Sequence, residues 1–199
     1  MRIVRLTDHA ALNDLYRFRH RVYVDELRWL SSRGGMLVDE FDEHAHNYAA
    51  YDDAGHVVGS VRVVPDGPLG LPLERCFPLN GYRDGKRLAE VSRLAVATGN
   101  RGASRLGMLL MKVAYQRYSA MRVSHVVLDA YVGDGTSTSL YDKMGFVHIS
   151  EPYQDHEYLC PLPVVSFELD LARIHAEWPR TRPVLYRFFT SPDTDIDHA

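Results

Sequence analysis

The sequence has few cysteines and no strong excess of charge of either sign. Its two cysteines, Cys76 and Cys160, are far apart and lie outside any CxxC or CxxH pattern. Neither a disulfide framework nor a zinc site is therefore indicated, and we expect both thiols to be buried. A formal charge of −3 provides no basic field that attracts nucleic acid, so no nucleic-acid partner is expected.

Long apolar runs are also missing. The apolar runs have the length of short strands, and none reaches the length of a transmembrane helix. The N-terminus, “MRIVRLTDHA”, lacks the apolar core of a signal peptide. We therefore expect a cytoplasmic protein without integral membrane association.

The composition is that of one globular domain. With 199 residues, 46% of them apolar and 25% charged, the chain is long enough to bury a sizeable core. We assign residues 1–199 to a single domain with a C-terminal extension from about residue 172. From Trp178 onward no periodicity predicts a regular element.

Strand and helix patterns alternate along the chain. Helices are predicted for “DHAALNDLYRFRHRVYVDEL”, with Thr7 or Asp8 as N-cap, from about Ser104 to Met121, and for “TSTSLYDKM”. Strands are predicted for “RIVRL”, “HNYAAYDD”, “HVVGSVRVVP”, “RLAEVSRLAV”, “HVVLDAYV”, “GFVHIS” and “VVSFELDL”. Residues 65–86, rich in Pro and Gly, are predicted to cross the surface. The order predicts an α/β (α+β) fold with helices flanking a single mixed, mostly antiparallel, twisted sheet.

One charged residue of the first helix requires an explanation. Helical spacing places Arg19 inside an apolar stripe formed by Leu12, Leu15, Tyr16, Val22, Tyr23 and Leu27. An arginine in such a stripe requires a carboxylate partner. Asp39 and Asp42, in “VDEFDEH”, follow closely behind the helix, and Arg62 on a predicted strand is positioned to share them. A purely structural ion-pair network and a metal site that adds His44 and His46 are the alternatives.

The stretch “SLYDKMGF” resembles the segment of GNAT acyltransferases in which a short helix carrying a Tyr precedes a Gly-Phe turn and closes the acyl-donor channel. The resemblance implies a GNAT-type fold, with Tyr141 and Phe146 at the donor site. The alternative is a plain helix whose C-terminal glycine adopts a left-handed conformation, with Phe146 packing back.

The first half of the chain resembles a narrower group, the acyl-homoserine lactone synthases and the long-chain N-acyl amino acid synthases. The segments are “LYRFRHRVYVDELRW”, “DEFDEHAHNYAAY”, “VVGSVRVVP” and “AEVSRLAV”. The positions typical of these enzymes are occupied by Arg19, Trp29, Asp39, Asp42, Arg62, Glu90 and Arg93, while Tyr23 stands where a Phe is usual. The resemblance implies that these residues bind substrate or donor, or take part in catalysis.

Within “LAEVSRLAV”, strict alternation places Glu90 and Ser92 on one face and Arg93 on the other. A β-bulge near Val91 or Ser92 would bring Glu90 and Arg93 together. In the GNAT fold such a bulge exposes backbone N–H groups that polarise the donor carbonyl. For Glu90 the alternative is a carboxylate at the edge of the core, paired with Arg93 or Arg87.

The resemblance implies acyl transfer from a thioester to a primary amine. Glu90 is the expected base for an α-ammonium with a pKa of roughly 8, and Tyr141 the expected acid for the departing thiolate. Neither cysteine has a His partner at motif spacing, so direct attack is expected rather than a covalent relay.

The donor is inferred from a missing glycine pattern. “NRGASRLGM” has Ser104 and Leu106 where a coenzyme A loop has glycines, so a pyrophosphate cradle is not expected. We expect the acyl-phosphopantetheine of an acyl carrier protein instead, bound by Arg101 and Arg105 and further by Arg83, Lys86 and Arg87. No permanently bound cofactor and no metal are expected.

The acceptor implied by the nearest resemblance is a free amino acid, tyrosine or another aromatic one. Acyl-homoserine lactone synthesis from S-adenosylmethionine and a non-catalytic regulator that binds carrier protein or lipid are the alternatives. Apolar residues of the long helix form either an acyl pocket or ordinary core; these are Met108, Leu109, Met111, Val113 and Tyr115.

Overall fold

Strands from both halves of the chain form one sheet, and two of its inner strands, His46–Tyr51 and Val57–Pro65, are buried along nearly their whole length. The computed structural model describes residues 1–99, 105–132, 141–192 and 196–197. Its strands are β1 (Arg2–Leu6), β2 (His46–Tyr51), β3 (Val57–Pro65), β4 (Leu88–Val96), β5 (His125–Tyr131), β6 (Val147–His148), β7 (Val164–Asp170) and β8 (Ile196–Asp197). They form one sheet in the order β6-β7-β5-β4-β3-β2-β1-β8.

Pairing within the sheet is mostly antiparallel. The pairs β4–β5 and β1–β8 are parallel, and the other neighbouring strands are antiparallel. β2 and β3 form the predicted hairpin, with Gly55 in the turn between them. The predicted fold class, a single mixed and mostly antiparallel sheet flanked by helices, is confirmed.

The longer helices within the described residues are α1 (His9–His20), α2 (Arg105–Ala120), α3 (Leu171–Thr181) and α4 (Pro183–Thr190), with 3-10 turns at Glu40–Glu43 and Pro72–Arg75. Asp8 is the N-cap of α1, because its carboxylate accepts hydrogen bonds from the N–H groups of Ala10 and Ala11. None of these helices combines the length and the apolarity needed to cross a bilayer.

The first helix changes its geometry before it ends. Instead of continuing as an α-helix to Leu27, the chain forms a π-helical turn over Arg21–Glu26. The carbonyl oxygen of Tyr23 then accepts the N–H groups of Trp29 and Leu30. Such π-helical turns are frequent at functional sites, and this one places Tyr23 and Trp29 beside the sheet.

The two faces of the sheet carry different layers. Val61 and Val63 of β3 belong to the main core, which also contains Leu110 of α2 and Phe189 of α4. Because side chains alternate along a strand, Arg62 between them lies on the opposite face, the one that α1 covers. The five apolar residues of α2 named above lie in this main core or pack against it, so the core interpretation of them is the one that the fold supports.

The segment from Pro65 to Lys86 has the exposed turns that its Pro and Gly content predicts, at residues 67–69 and 80–81 for example, but it also contributes to the core. Leu71, Leu73 and Leu79 are buried and form a second core with Val127 of β5. The sequence prediction did not include this second core, which forms because the three leucines provide enough apolar surface to cover this part of the sheet.

The C-terminal residues form α3 and α4, which the sequence pattern did not reveal. Pro179 lies inside α3 and Pro183 begins α4, so the apolar pattern is divided between two short helices. Ile174, Trp178 and Phe189 belong to the main core. These helices therefore contribute to the same core as α2.

α3 and α4 also hold the segment that follows Tyr141. Arg173 donates from Nη2 to the carbonyl oxygen of Gly145 at 2.7 Å, and Arg182 donates to that of Lys143. Gly145 has a φ of +76°, and a Cβ placed there would lie 3.2 Å from Cζ2 of Trp178. Glycine is required at this position for two reasons, the left-handed backbone and the close approach of the indole.

We predict that Gly145→Ala destabilises the protein more than the matched change Gly85→Ala. Both glycines have left-handed φ, and the strain costs about 1–2 kcal/mol. Only Gly145 has a neighbour within 4 Å, whereas Gly85 faces open space. Urea unfolding of the two variants measures the difference. Equal losses of unfolding free energy would show that Trp178 does not restrict this turn.

Candidate active site

The site lies where β4 and β5 separate. Their parallel pairing runs from Leu88 and His125 to Glu90 and Val127. Beyond these pairs, residues of both strands line a cavity instead. Its walls are formed by Tyr23, Trp29, Val91, Ser92, Arg93, Leu94, Asp129, Ala130, Tyr131, Tyr141, Tyr158 and Val164.

A β-bulge in β4 accompanies this separation. Ser60 pairs with Ala95 and Arg62 with Ser92, so one residue of β3 lies opposite Arg93 and Leu94. Arg93 has a left-handed φ of +52°. The bulge was expected near Val91 or Ser92 and lies at the next two residues. It turns the Arg93 side chain to the face that also carries Glu90, as expected of a bulge in this strand.

Two hydroxyl groups bind the carbonyl oxygens of the bulge. Ser60 Oγ donates to the carbonyl oxygen of Arg93 at 2.8 Å, and the Tyr23 hydroxyl donates to that of Leu94 at 2.9 Å. These bonds satisfy acceptors that regular pairing would otherwise satisfy. Burial raises the pKa of Tyr23, so its hydroxyl remains a donor. The tyrosine therefore provides a contact that a phenylalanine at this position lacks.

Arg19 has the carboxylate partner that its position requires. Its side chain is fully buried, and its two terminal nitrogens donate to Oδ1 of Asp42 at 2.7 Å and to Oδ1 of Asn47 at 2.6 Å. Asn47 on β2 in turn donates to the backbone oxygen of Asp42. Arg19 thus connects α1 to the Asp39–Asp42 segment and to the sheet.

Asp39 and Asp42 join three arginines, Arg19, Arg62 and Arg93. Arg62 Nη1 lies 2.6 Å from Oδ1 of Asp39 and 3.2 Å from Oδ2 of Asp42, and Arg93 Nη2 lies 2.9 Å from Oδ2 of Asp39. Burial raises the pKa of both carboxyl groups, but the guanidinium groups outweigh it and hold both pKa values below the usual range. Both carboxylates are therefore ionised. We call these five residues the ion network.

The metal-site alternative does not fit this arrangement. Asp39 and Asp42 direct their oxygens to arginines, and His46 contacts Arg117 of α2 through Nε2. Within the described residues, no group of His, Cys, Asp or Glu is arranged to hold a metal ion.

Two polar residues on the strands next to β3 support the ion network with hydrogen bonds. Asn47 of β2 is opposite Arg62 of β3, which is opposite Ser92 of β4. Arg62 donates from Nε to Oγ of Ser92 at 3.1 Å. Ser92 also lines the cavity, so it connects the ion network to the cavity wall.

Glu90 lies behind that wall. Its side chain is buried, and Oε2 accepts the backbone N–H of Leu73 at 2.8 Å. Burial and then the nearby Asp129 raise the pKa of Glu90 to about 8. Arg87, an alternative partner, donates instead to the carbonyl oxygen of Arg122. The role of Glu90 as the base stays a prediction.

Aromatic side chains form much of the cavity surface. The rings of Trp29 and Tyr131 are 4.5 Å apart, those of Tyr131 and Tyr158 are 5.3 Å apart, and those of Tyr23 and Trp29 are 6.4 Å apart. The Tyr158 hydroxyl accepts a hydrogen bond from Arg93 at 3.3 Å. Such a surface suits a flat, partly apolar ligand.

The structure brings together Tyr23, Trp29, Ser92, Arg93 and Tyr141, all predicted from the sequence. Asp129, Tyr131 and Tyr158 were missed, although the lone acidic residue in “HVVLDAYV” was a visible signal for the first of them. Tyr158 lies outside the regular strands and helices and gave no signal.

Other predicted site residues lie elsewhere. Phe146 is buried in the main core, where it packs against Tyr141. Arg105 is exposed at the first described residue of α2, and Arg101 lies outside the described residues. Arg83 forms ion pairs with Asp66 and Glu74.

The proposed basic surface therefore does not form as one patch. Arg83, Lys86 and Arg87 precede β4, whereas α2 follows its other end. Lys86 is paired with Glu168. A nine-residue strand separates these three residues from Arg105, so we do not include them in the donor contact proposed below.

Both cysteines are partly rather than fully buried. Cys76 Sγ lies 3.3 Å from Oδ1 of Asp155, and burial raises the pKa of the thiol. A protonated thiol outside the cavity is a poor nucleophile, which supports direct attack over a covalent relay.

We predict that Arg19→Ala lowers the free energy of unfolding by about 3–5 kcal/mol, because it leaves the buried Asp42 carboxylate with one arginine fewer. Arg17→Ala is the matched control: it removes an exposed pair with Asp14 on the same helix and should cost below about 1 kcal/mol. Urea unfolding at pH 7 measures both. A similar small loss for Arg19→Ala would assign this residue to substrate or donor rather than to the fold.

The sequence matches a known protein family and a curated relative. A sequence model of the family described as N-acyl amino acid synthase FeeM matches residues 14–170. An acyl-homoserine-lactone synthase of Vibrio anguillarum is 32% identical over 87 residues, which are 41% of this chain and 45% of that protein. The aligned part thus spans less than half the length of this curated relative.

Solved structures of similar fold agree. FeeM, an N-acyl amino acid synthase from uncultured soil microbes, superposes with a TM-score of 0.72 at 16% identity, over 87% of this chain and 92% of that chain. BjaI, described as a CoA-dependent acyl-homoserine lactone synthase, has a TM-score of 0.70 at 19% identity, over 98% and 92%. At these identities the structures establish the fold alone.

That fold is the one expected from “SLYDKMGF”. An acyl-CoA N-acyltransferase from Pseudomonas aeruginosa also superposes, with a TM-score of 0.55 at 21% identity, over 81% of this chain and 91% of that chain. The GNAT-type sheet and the family resemblance are both confirmed. Because the family model matches most of its length, the chain belongs to the N-acyl amino acid synthase FeeM family.

Proposed function

We propose that the protein is an N-acyltransferase that moves a long-chain fatty acyl group from an acyl carrier protein thioester to the α-amine of an amino acid. The observation that carries this proposal is the cavity between the separated strands β4 and β5, with the bulge of β4 on one wall and aromatic side chains on the other. Direct attack by the amine needs only that both substrates meet there.

The bulge provides the means to activate the thioester. Arg93 and Leu94 lie outside the regular pairing, and their carbonyl oxygens are bound by Ser60 and Tyr23. We assign their backbone N–H groups to the thioester oxygen, which becomes negative in the transition state. The acyl-pantetheine arm would then enter where β4 and β5 diverge.

Arg93 is suited to the carboxylate of the acceptor. The ion network contains three guanidinium groups and two carboxylates, which leaves one positive charge (3 − 2 = 1). Of the three arginines, Arg93 is the one that lines the cavity. Trp29, Tyr131 and Tyr158 would surround an aromatic side chain, so we propose tyrosine or another aromatic amino acid as the acceptor.

Tyr141 is the proposed acid for the leaving thiolate. Its side chain lines the cavity and is packed between Phe146 and Phe167, with ring centroids 5.7 and 5.8 Å away. Two aromatic neighbours hold the ring in one position. The contacts of Arg173 and Arg182 with the following backbone restrict the same segment.

The proposed carrier of the acyl group is an acyl carrier protein rather than coenzyme A. “NRGASRLGM” lacks the glycines of a pyrophosphate loop. Arg105 is exposed near the Val96 end of β4, since a Cβ placed on Gly59, the pairing partner of Val96, would lie 3.2 Å from Cδ2 of Leu106. We propose that Arg105, with Arg101, meets an acidic carrier protein. Because the structurally similar BjaI is CoA-dependent, the carrier has to be tested directly. A cytoplasmic location belongs to the same proposal.

Acyl-homoserine lactone synthesis is the second candidate. It is favoured by the 32% identity to the Vibrio anguillarum enzyme over 87 residues. S-adenosylmethionine would then replace the amino acid as acceptor, and an assay that contains each acceptor in turn distinguishes the two activities.

We predict that the purified protein releases free thiol from a long-chain acyl carrier protein thioester only when an amino acid is added. The N-acyl amino acid should accumulate in equal amount, as measured by mass spectrometry. Release without amino acid would indicate a thioesterase, release with S-adenosylmethionine alone the second candidate, and binding without release a non-catalytic regulator.

The same assay tests the carrier. One acyl chain is presented on carrier protein and on coenzyme A at low and high salt, because contacts between exposed charges weaken as salt rises. Arg105→Glu should slow the carrier-protein reaction, and Arg87→Glu, the same change before the other end of β4, should not. Equal use of acyl coenzyme A would contradict a carrier-protein donor.

A further inference from the structure

Asp129 is an acidic residue of the cavity that the reaction described so far does not use. It lies on β5, shortly after the last residue pair that joins β5 to β4. The residue is half-buried and lines the cavity together with Arg93 and Tyr131. The apolar strand “HVVLDAY” therefore opens one carboxylate to the space where the acceptor has to bind.

The carboxylate of Asp129 is not bound by Arg93, the described cation that lines the same cavity. Arg93, which lowers the pKa of Asp129, directs Nη2 to Asp39 and Nη1 to Tyr158. Within the described part of the chain, Asp129 forms no ion pair. A cavity carboxylate without a cation is a site for a cationic ligand, and an amino acid carries one in its ammonium group.

Glu90 differs from Asp129 in both access and environment. Glu90 is 1% exposed, does not line the cavity and accepts the N–H of Leu73. Burial and then Asp129 raise its pKa to about 8, so Glu90 is mostly protonated at pH 7. Burial and then Asp155 raise the pKa of Asp129 to about 6, so this group is mostly ionised at the same pH. Two neighbouring carboxyl groups with separated pKa values divide acid and base roles.

Several charged and titratable groups face Asp129 from the elements around it. Glu90 and Arg93 lie on β4, and Asp155, Glu157 and Tyr158 lie on the segment between β6 and β7. Arg93 is the only cation in this set. Asp155 and Glu157 favour the protonated form of Asp129 or, equally, the presence of a bound ammonium group.

We propose that Asp129 binds the α-ammonium group of the acceptor and takes its proton. This inference rests on the proposed function and deepens it, because it names the group that prepares the nucleophile. With Arg93 at the α-carboxylate, the two side chains would hold both ends of the zwitterion.

The proton balance of the transfer is complete. The ammonium group gives one proton to the Asp129 carboxylate, and the nitrogen lone pair then attacks the thioester carbon. The C–N bond forms, the C–S bond breaks with its electron pair on sulfur, and the second N–H proton replaces the proton that Tyr141 gives to the thiolate. Asp129 returns its proton to solvent, so each turnover yields amide, thiol and one proton.

The test compares Asp129→Asn with Glu90→Gln in the acyl transfer assay with tyrosine. Asp129→Asn should lower kcat/KM for tyrosine by about 10²–10⁴-fold at pH 7, the usual contribution of a general base. In the wild type, kcat/KM for tyrosine should fall below a pH of about 6. In Asp129→Asn it should instead keep rising toward roughly pH 8, where the amine loses its proton to solvent. Glu90→Gln should keep the acidic limb near pH 6, whatever its effect on the rate, because that limb is assigned to Asp129.

Asp155→Asn is the matched control for electrostatic effects. It removes one negative charge that faces Asp129, yet Asp155 does not line the cavity. Removal of the Asp155 charge should lower the pKa of Asp129, so the acidic limb of the profile should move to lower pH. The plateau rate should stay within a few-fold of the wild type. A loss as large as that of Asp129→Asn would show that charge alone, without contact, accounts for the effect, and would overturn the inference.

A binding measurement separates ammonium recognition from folding. Calorimetry with tyrosine and with 3-(4-hydroxyphenyl)propanoate, which lacks the amine, should show that Asp129→Asn weakens only tyrosine. Equal affinities for tyrosine in both proteins, or an acidic limb abolished by Glu90→Gln and kept by Asp129→Asn, would overturn the inference. No turnover of any amino acid by the wild type would instead contradict the proposed function itself.

Discussion

The buried ion network is the interaction on which the rest of the site depends. Arg19 brings α1 to Asp42, and Arg62 and Arg93 bring β3 and β4 to Asp39. Removing these charges from water is costly, and that cost is offset only when each is hydrogen-bonded and paired. Asn47 and Ser92 provide hydrogen bonds that the carboxylates alone do not. The arrangement therefore tolerates little displacement.

That constraint fixes the backbone of β4. A left-handed arginine in a strand is strained, and it persists only where its surroundings hold it. Arg93 is held by Asp39 through its side chain and by Ser60 through its carbonyl oxygen. β4 consequently leaves the regular pairing with β5 after Glu90, and the cavity forms between them. In this way a structural network positions the groups that we assign to donor and acceptor.

Sequence reasoning found the parts of this site that have local signals. Arg19 was recognisable because it interrupts an apolar helix face, and of its two expected partners Asp42 binds it while Asp39 binds Arg62 and Arg93. The bulge was anticipated, but alternation along a strand does not reveal at which residue the pairing shifts. The carbonyl oxygens of the bulge are bound by Ser60 and Tyr23, which are distant from β4 in sequence, so no local pattern gives its position.

Other features could not be predicted because they depend on contacts between distant segments or on a pattern that prolines interrupt. Tyr158 and Asp129 become neighbours of Arg93 only when β5 and the segment before β7 fold back onto β4. The helices α3 and α4 were hidden because prolines divide their pattern. The leucines of the segment after β3 resembled loop residues among Pro and Gly until Val127 provided the surface that they cover.

The central claim is that Asp39 acts on catalysis through Arg93, and a double-mutant cycle on kcat/KM tests it most directly. Asp39→Asn, Arg93→Gln and the double variant would be assayed with carrier-protein thioester and tyrosine, at a temperature where urea unfolding shows all three to be folded. If Asp39 works by holding Arg93, the double variant should be no slower than Arg93→Gln alone, since coupled residues are not additive. Losses that simply multiply in the double variant would contradict the account.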